Sequence, residues 1–501
     1  MNSAQNIIAF ALTFLLALTA TPVFAEQSSS ANEKSTQAFY ETIRTHPLTL
    51  RGFVSGMPKG GDLRVRLKES IYPEDYLLLA ERENYCITLP SYFAVPPLNN
   101  TCPPGTSPAK KFFDSEENYQ KAIKQLSAAS SFNSKQELIS LSEITPDQFG
   151  FLLGSVVESA AYQHLDYLEV LLPWAPEKLI KDAGKKEWKG TPHDMYPTLS
   201  TLPAMLSIET GKERIDSLMT STKKYLQNGV EQSVMVRMIA SVDRTQPAPV
   251  VFAELIHAFK TATADPRFVG VALTGDEEHP VALRDYNLQI EMLNTLTNME
   301  AYADVKTIIT AGYLEFGMIQ PSKFKDRIRM AVTKGNATRI SHGSAIMYEN
   351  NPFELLKALS EQKIPVEIAL TGEEVVRSIS AADNPFPVLQ KYNVPVVLVT
   401  ENGGLTRIDI TNEYVRAAHD YNLSYTDLKI LVRNSLEYSL LPGKSLWKSV
   451  SPYAMGSECS DSLTNKKTGL CQKLLDESPK ALKQWNLEAK FVEFERKISS
   501  R

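Results

Sequence analysis

Arg64 and Arg66 stand two positions apart in the run MPKGGDLRVRL, residues 57–67. On a strand, residues at that spacing face the same side. Two imidazoles so placed could share one zinc ion, but two guanidiniums cannot, because arginine keeps its proton and offers no lone pair. The pair therefore has two readings. One is a structural charge cluster, which needs carboxylate partners once buried. The other is an anion site, since guanidinium forks suit carboxylate and phosphate. Other chemistry has little support. The seven histidines are scattered, with His46, His193 and His279 in expected loops, His164, His257 and His419 on expected helices, and His342 at a strand end. The sequence contains no Cys-x-x-Cys pair and no G-x-S-x-G.

The elements that must position these residues are legible as eight β-rich apolar runs, at 62–67, 166–172, 233–242, 268–273, 305–310, 338–342, 365–370 and 395–400. Helical periodicity fills 250–260, 283–297, 323–332 and 352–362 between them. Eight strands separated by helices predict the α/β class and a closed (β/α)8 TIM barrel, with chemistry at the C-terminal strand ends. A long insertion after the first strand, 85–151, includes a polar helical stretch at 112–129. The segment 174–206, rich in Pro, Lys and Gly, is expected to form loops near the barrel mouth, and a charged helix is expected at 479–498.

An apolar stretch at 7–20 followed by Val23-Phe24-Ala25 predicts a removed signal peptide, residues 1–25. Export to the periplasm or outside the cell follows, with no stable membrane insertion after cleavage. The remainder, 26–501, reads as one domain, with the barrel over about 57–447 and a C-terminal disulfide loop and helix at 448–501. Four cysteines suit an oxidising compartment. Three connectivities are open, and local pairing of Cys86 with Cys102 and of Cys459 with Cys471 is favoured because each pair brackets a polar loop. With 43% hydrophobic and 22% charged residues the chain can build an ample core, and a net charge of -5 argues against a nucleic-acid partner.

Several motifs resemble the adenosine deaminase family. Leu273-Thr274-Gly275-Asp276-Glu277 is similar to its L-x-G-x-E, Arg339-Ile340-Ser341-His342-Gly343 to its R-I-G-H-G, and 406–418 and 427–443 to its last segments. The resemblance implies the barrel fold, a zinc ion, and a purine site that includes Gly275 and His342. It also marks departures. The family's zinc-ligand positions read Arg64, Arg66, Thr310 and Glu401, where the first strand should carry His-x-His. Tyr313 replaces the glutamate that shuttles protons, and Asn402 replaces an aspartate. A metal-activated hydroxide needs a cation to bring the pKa of water from ~15.7 to about 7, and an ordinary phenol titrates near ~10. No cofactor is therefore expected. The arginines are expected to pair with Glu401 and with Glu373, or to bind an anion. The leading expectation is a catalytically inactive protein binding a purine nucleoside, a nucleotide or another small anion through Gly275, His342, Asn402, Arg64 and Arg66, or else a protein partner. The alternative is a deaminase-type hydrolase with a rearranged or metal-free site built from Glu401, Tyr313 and His342.

Overall fold

The computed structural model describes residues 31–89, 91–127, 144–206, 208–226, 233–317, 319–460 and 468–500. The expected signal segment, 1–25, lies outside the described residues, as does the end of the polar helical stretch at 128–129.

Eight parallel strands form one sheet in chain order: β1 (Gly60–Arg66), β2 (Leu165–Pro173), β3 (Met235–Asp243), β4 (Phe268–Thr274), β5 (Thr307–Ala311), β6 (Ala337–His342), β7 (Val366–Ile368) and β8 (Val396–Leu398). The aliphatic runs that signalled them are continuous rather than alternating because both strand faces are covered, one by helices and one by the barrel lumen. Leu171, Ile239, Ala272 and Ile308, one from each of β2 to β5, pack into a separate small apolar cluster. Closure falls just beyond β8. Val65 bridges Glu401 in parallel, with the Arg66 amide donating to Glu401 O and the Glu401 amide to Arg64 O, both at 2.9 Å. The seam of the barrel is thus made by the residues that carry its unusual charges.

The insertion after β1 holds a three-stranded antiparallel sheet (Cys86–Thr88, Ala94–Val95, Thr106–Pro108), tied by a Cys86–Cys102 disulfide, and a helix at Glu116–Gln125. The second local pair, Cys459–Cys471, also forms. The loops expected at 174–206 are instead two helices, Glu177–Gly184 and Pro192–Ser200. The second has a capping box between Thr191 and Asp194 with Pro192 in its first turn, which offsets the cost of its interior Pro197. His193 is therefore helical, whereas His164 lies beyond the end of helix Pro146–Tyr162 at φ +61°. The final helix, Pro479–Ser499, packs against the helix Ala31–Ile43. Among the described residues no helix is long and apolar enough to cross a membrane.

The short helix that follows the seam, Gly403–Thr406, leaves no room for a side chain at Gly404. A Cβ there would stand 2.2 Å from Ile71 O and 2.4 Å from its carbonyl carbon, both backbone atoms. Gly404→Ala is expected to cost about 1–3 kcal/mol through overpacking. Urea unfolding with an unchanged midpoint would show that the two segments can move apart.

Candidate functional site

Side chains projecting from five strand ends meet in the lumen as a chain of alternating charges. At its deep end Arg339 on β6 donates through Nη2 to Glu169 Oε2 on β2 at 2.6 Å, and its Nε lies 2.7 Å from Glu367 Oε1 on β7. Glu367 Oε2 accepts the Ser341 hydroxyl and sits 3.6 Å from Arg64 Nη1. Arg64 is spread over three further partners: Ser341 Oγ at 2.7 Å, Thr310 Oγ1 at 3.2 Å and, through Nε, Glu401 Oε1 at 3.1 Å. That same carboxylate oxygen lies 3.3 Å from Arg66 Nε, and Arg66 also donates to Glu69 at 3.0 Å. The two arginines differ in setting, because the Arg64 side chain is 1% exposed and that of Arg66 27%.

His342 extends the cluster sideways. Its Nε2 is 3.3 Å from Glu401 Oε1 and its Nδ1 is 3.0 Å from Glu373 Oε1, so the carboxylate expected beside the arginines is instead a partner of the imidazole. Burial lowers the affinity of His342 for a proton, but Glu401 and Glu373 outweigh it and raise the net pKa. Burial pushes Glu401 the other way, upward, yet His342, Arg64 and Arg66 together hold it well below the usual carboxylate range. With His342 as imidazolium, four cations (Arg64, Arg66, Arg339, His342) face five carboxylates (Glu69, Glu169, Glu367, Glu373, Glu401), of which Glu69 stands part-exposed at the rim. Both His342 and Glu401 adopt positive φ, +74° and +57°. Non-glycine residues held there store strain that functional regions often carry.

Above this core the Tyr313 ring stacks on His342 with centroids 3.6 Å apart and planes 8° from parallel. The Arg377 guanidinium lies 4.9 Å from the Tyr313 centroid and donates to Asp276 Oδ1 and Glu278 Oε2, each at 2.6 Å. Burial first, and the carboxylates of Glu401 and Glu373 after it, push the Tyr313 phenol well above its ordinary value. Gly275 has φ +99°, and a Cβ on it would meet Asp243 Oδ1 at 2.4 Å, so its freedom serves packing between the β3 and β4 ends. Asn402 is buried beside Gly372, its Oδ1 3.1 Å from where a Cβ on that glycine would stand. The structure therefore gathers Arg64, Arg66, Thr310, Tyr313, His342, Glu401 and Asn402 at one mouth. Residue-by-residue reading assigned no role to Arg339, Glu169, Glu367 or Arg377. The first three had a signal, a lone charge inside a strand buried on both faces.

A zinc ion does not fit this donor set. Arg64 occupies the ligand end of β1 and is hydrogen bonded to Thr310 and Glu401, two of the other family ligand positions. Its protonated nitrogens have nothing to coordinate with, and their charge repels a divalent cation. Among the described residues no group of three or more His, Cys, Asp or Glu side chains is placed to hold a metal ion.

The eight-stranded parallel barrel has the architecture of the (β/α)8 barrels, whose functional groups gather at the C-terminal strand ends. The adenosine deaminase family profile matches residues 108–448, and the chain belongs to that family. The match begins after β1, so it leaves out Arg64 and Arg66. Among curated relatives, an adenosine deaminase of Enterococcus faecalis is 33% identical over 112 residues, 22% of this chain and 32% of that enzyme. An aminodeoxyfutalosine deaminase of Streptomyces coelicolor is 31% identical over 112 residues, 22% of this chain and 28% of the other. These alignments thus span about a third of the relatives' length. Solved structures of the same shape include the apo N6-methyl-AMP deaminase from Arabidopsis thaliana, with a TM-score of 0.52 and 17% identity over 78% of this chain and 94% of the other. Arabidopsis ADAL complexed with GMP gives 0.51 and 19% over the same shares.

Removing one partner of a buried ion pair strands the other. Arg64→Ala is expected to destabilise the fold by about 3–5 kcal/mol, whereas Arg66→Ala, at the wetter end, is expected to cost no more than about 1 kcal/mol. Equal losses for the two variants in urea unfolding would show that the difference in burial does not set the cost.

A second consequence concerns Asp62 on β1, which accepts the Thr400 hydroxyl at 2.6 Å and lines a cavity of about 40 Å³ beneath helix Pro146–Tyr162. Burial pushes its carboxyl up to about 7, against hydrogen bonds from Thr400 and the Arg64 amide that favour ionisation. The unfolded value is near ~3.9. A raised carboxyl contributes stability that is complete below the unfolded value and lost as pH climbs through the folded one. Asp62→Asn is expected to flatten the decline in unfolding free energy between pH ~4 and about 7. The pH dependence of urea midpoints checks this, and an unchanged decline counts against it.

Proposed function

We propose that this chain is an exported, hydrolytically silent member of the adenosine deaminase family that keeps its barrel mouth for binding rather than for deamination. One observation carries the reading: the Arg64 guanidinium sits among Glu401, Thr310 and Ser341, in the place where the family's metal chemistry would be centred. The ligand class is a purine nucleoside or nucleotide. The crystallised ADAL proteins complexed with IMP or GMP, which share this fold, support that class. Arg64 is fully engaged by protein groups, so the part-exposed Arg66 is the guanidinium left for an anionic group on a ligand. Export is supported by the apolar N-terminal segment and by two disulfides, which suit an oxidising compartment.

Zinc content and adenosine turnover on the same purified sample test this reading. The expected outcome is substoichiometric zinc after exposure to excess metal, together with no inosine above the uncatalysed background. One tightly held zinc per chain that is lost in Glu401→Ala, or turnover abolished by the same change, would establish the alternative, a hydrolase with a rearranged site.

A further inference from the structure

The geometry points to Tyr313 as a built-in plug, a side chain that occupies the slot a planar heteroaromatic ligand would take, with Arg377 as the latch that keeps it there. This inference rests on the binding reading above and adds to it the shape of the ligand and the event that admits it. Three planar groups lie in layers at the mouth. His342 forms the floor, with its plane fixed by Glu373 at one ring nitrogen and Glu401 at the other. The phenol of Tyr313 is stacked on it at 3.6 Å. Since His342 covers one face of that ring, the Arg377 guanidinium 4.9 Å from its centroid covers the other.

The plug and latch come from separate elements. Tyr313 follows β5, and its amide donates to Glu277 at 2.7 Å, which fixes the backbone from which the side chain swings. Arg377 ends the helix Leu370–Arg377 that follows β7, and it crosses the mouth to Asp276 and Glu278, in the turn after β4. Asp276 is 43% exposed, so this end of the latch is open to solvent and to competing ions. A ring leaving the gap between His342 and Arg377 would vacate two flat, cationic faces. Such faces attract the electron-rich face of an aromatic ligand by the same contact they now make with Tyr313. On this inference a ligand binds only the state in which Tyr313 is displaced, and its apparent affinity is reduced by the fraction so populated.

Calorimetric titration with adenine, whose six-membered ring matches the phenol in size, tests the inference on the wild type, Tyr313→Phe and Tyr313→Ala, with ribose as the control lacking an aromatic ring. Removing the plug is expected to tighten adenine binding at least roughly tenfold, about 1.4 kcal/mol. The Phe variant, which keeps the ring, should stay within about twofold of wild type, and ribose should show no change. Weaker binding in Tyr313→Ala would make Tyr313 a recognition residue and overturn the plug, as would unchanged binding or no binding to any form. Should the Ala variant lose its near-ultraviolet circular dichroism and so prove unfolded, Glu278→Gln takes its place, because loosening the latch is expected to tighten adenine in the same direction. An unchanged affinity there also overturns the inference. Zinc and turnover are read separately on the wild type, so wild-type deamination alongside a tightened Tyr313→Ala would leave the plug standing and remove only the claim of hydrolytic silence.

Discussion

The contact between Arg64 and Glu401 is the constraint from which the rest of the mouth follows. It joins the first and last strand ends twice, by side chains at 3.1 Å and by the reciprocal backbone hydrogen bonds at 2.9 Å that close the barrel. A guanidinium buried this deeply is tolerable only beside an ionised carboxylate and with its remaining donors satisfied. Ser341 and Thr310 supply those acceptors. Glu401 must then stay charged, which draws a proton onto His342, and the imidazolium in turn requires Glu373 on its far side. Each group's charge state is set by its neighbour, beginning with an arginine that cannot lose its proton.

Such a chain contributes less to stability than its length suggests, since burying each ion forfeits hydration that mutual attraction only partly returns. Its value lies in specificity of arrangement. Arg339, Glu169 and Glu367 tie β6, β2 and β7 together at the deep end, and Arg64 links that group to the mouth. Beside that charged column, Leu171, Ile239, Ala272 and Ile308 of β2 to β5 form a separate small apolar cluster.

The fold was legible because its signals are local. Aliphatic runs of strand length mark all eight strands, and helices such as Pro352–Glu361 follow the apolar periodicity. The helices at 177–184 and 192–200 were hidden by composition, although Thr191-Pro192-His193-Asp194 carries a capping signature that could have revealed the second. The small sheet in the insertion consists of two- and three-residue strands that exist only through their pairing, so no periodicity could announce it. For the site, the sequence identified which residues stand at the mouth but not which of them touch. The partnership of Glu373 with His342, and the reach of Arg377 to Asp276 and Glu278, depend on segments 31 and about 100 residues apart meeting across the barrel top.

Every proton at this mouth is tied to the charge of its neighbours. His342 is held toward its charged form between two carboxylates, Glu401 is held ionised by three cations, and Tyr313 is held neutral by burial. Moving a proton from His342 to Glu401 would neutralise both, leaving Arg64 and Arg66 without their shared counter-ion and Glu373 without its own. The arrangement that makes a buried Arg64 stable therefore opposes that transfer. A stacked ring, which needs no proton transfer to bind, is compatible with every charge in the cluster as it stands.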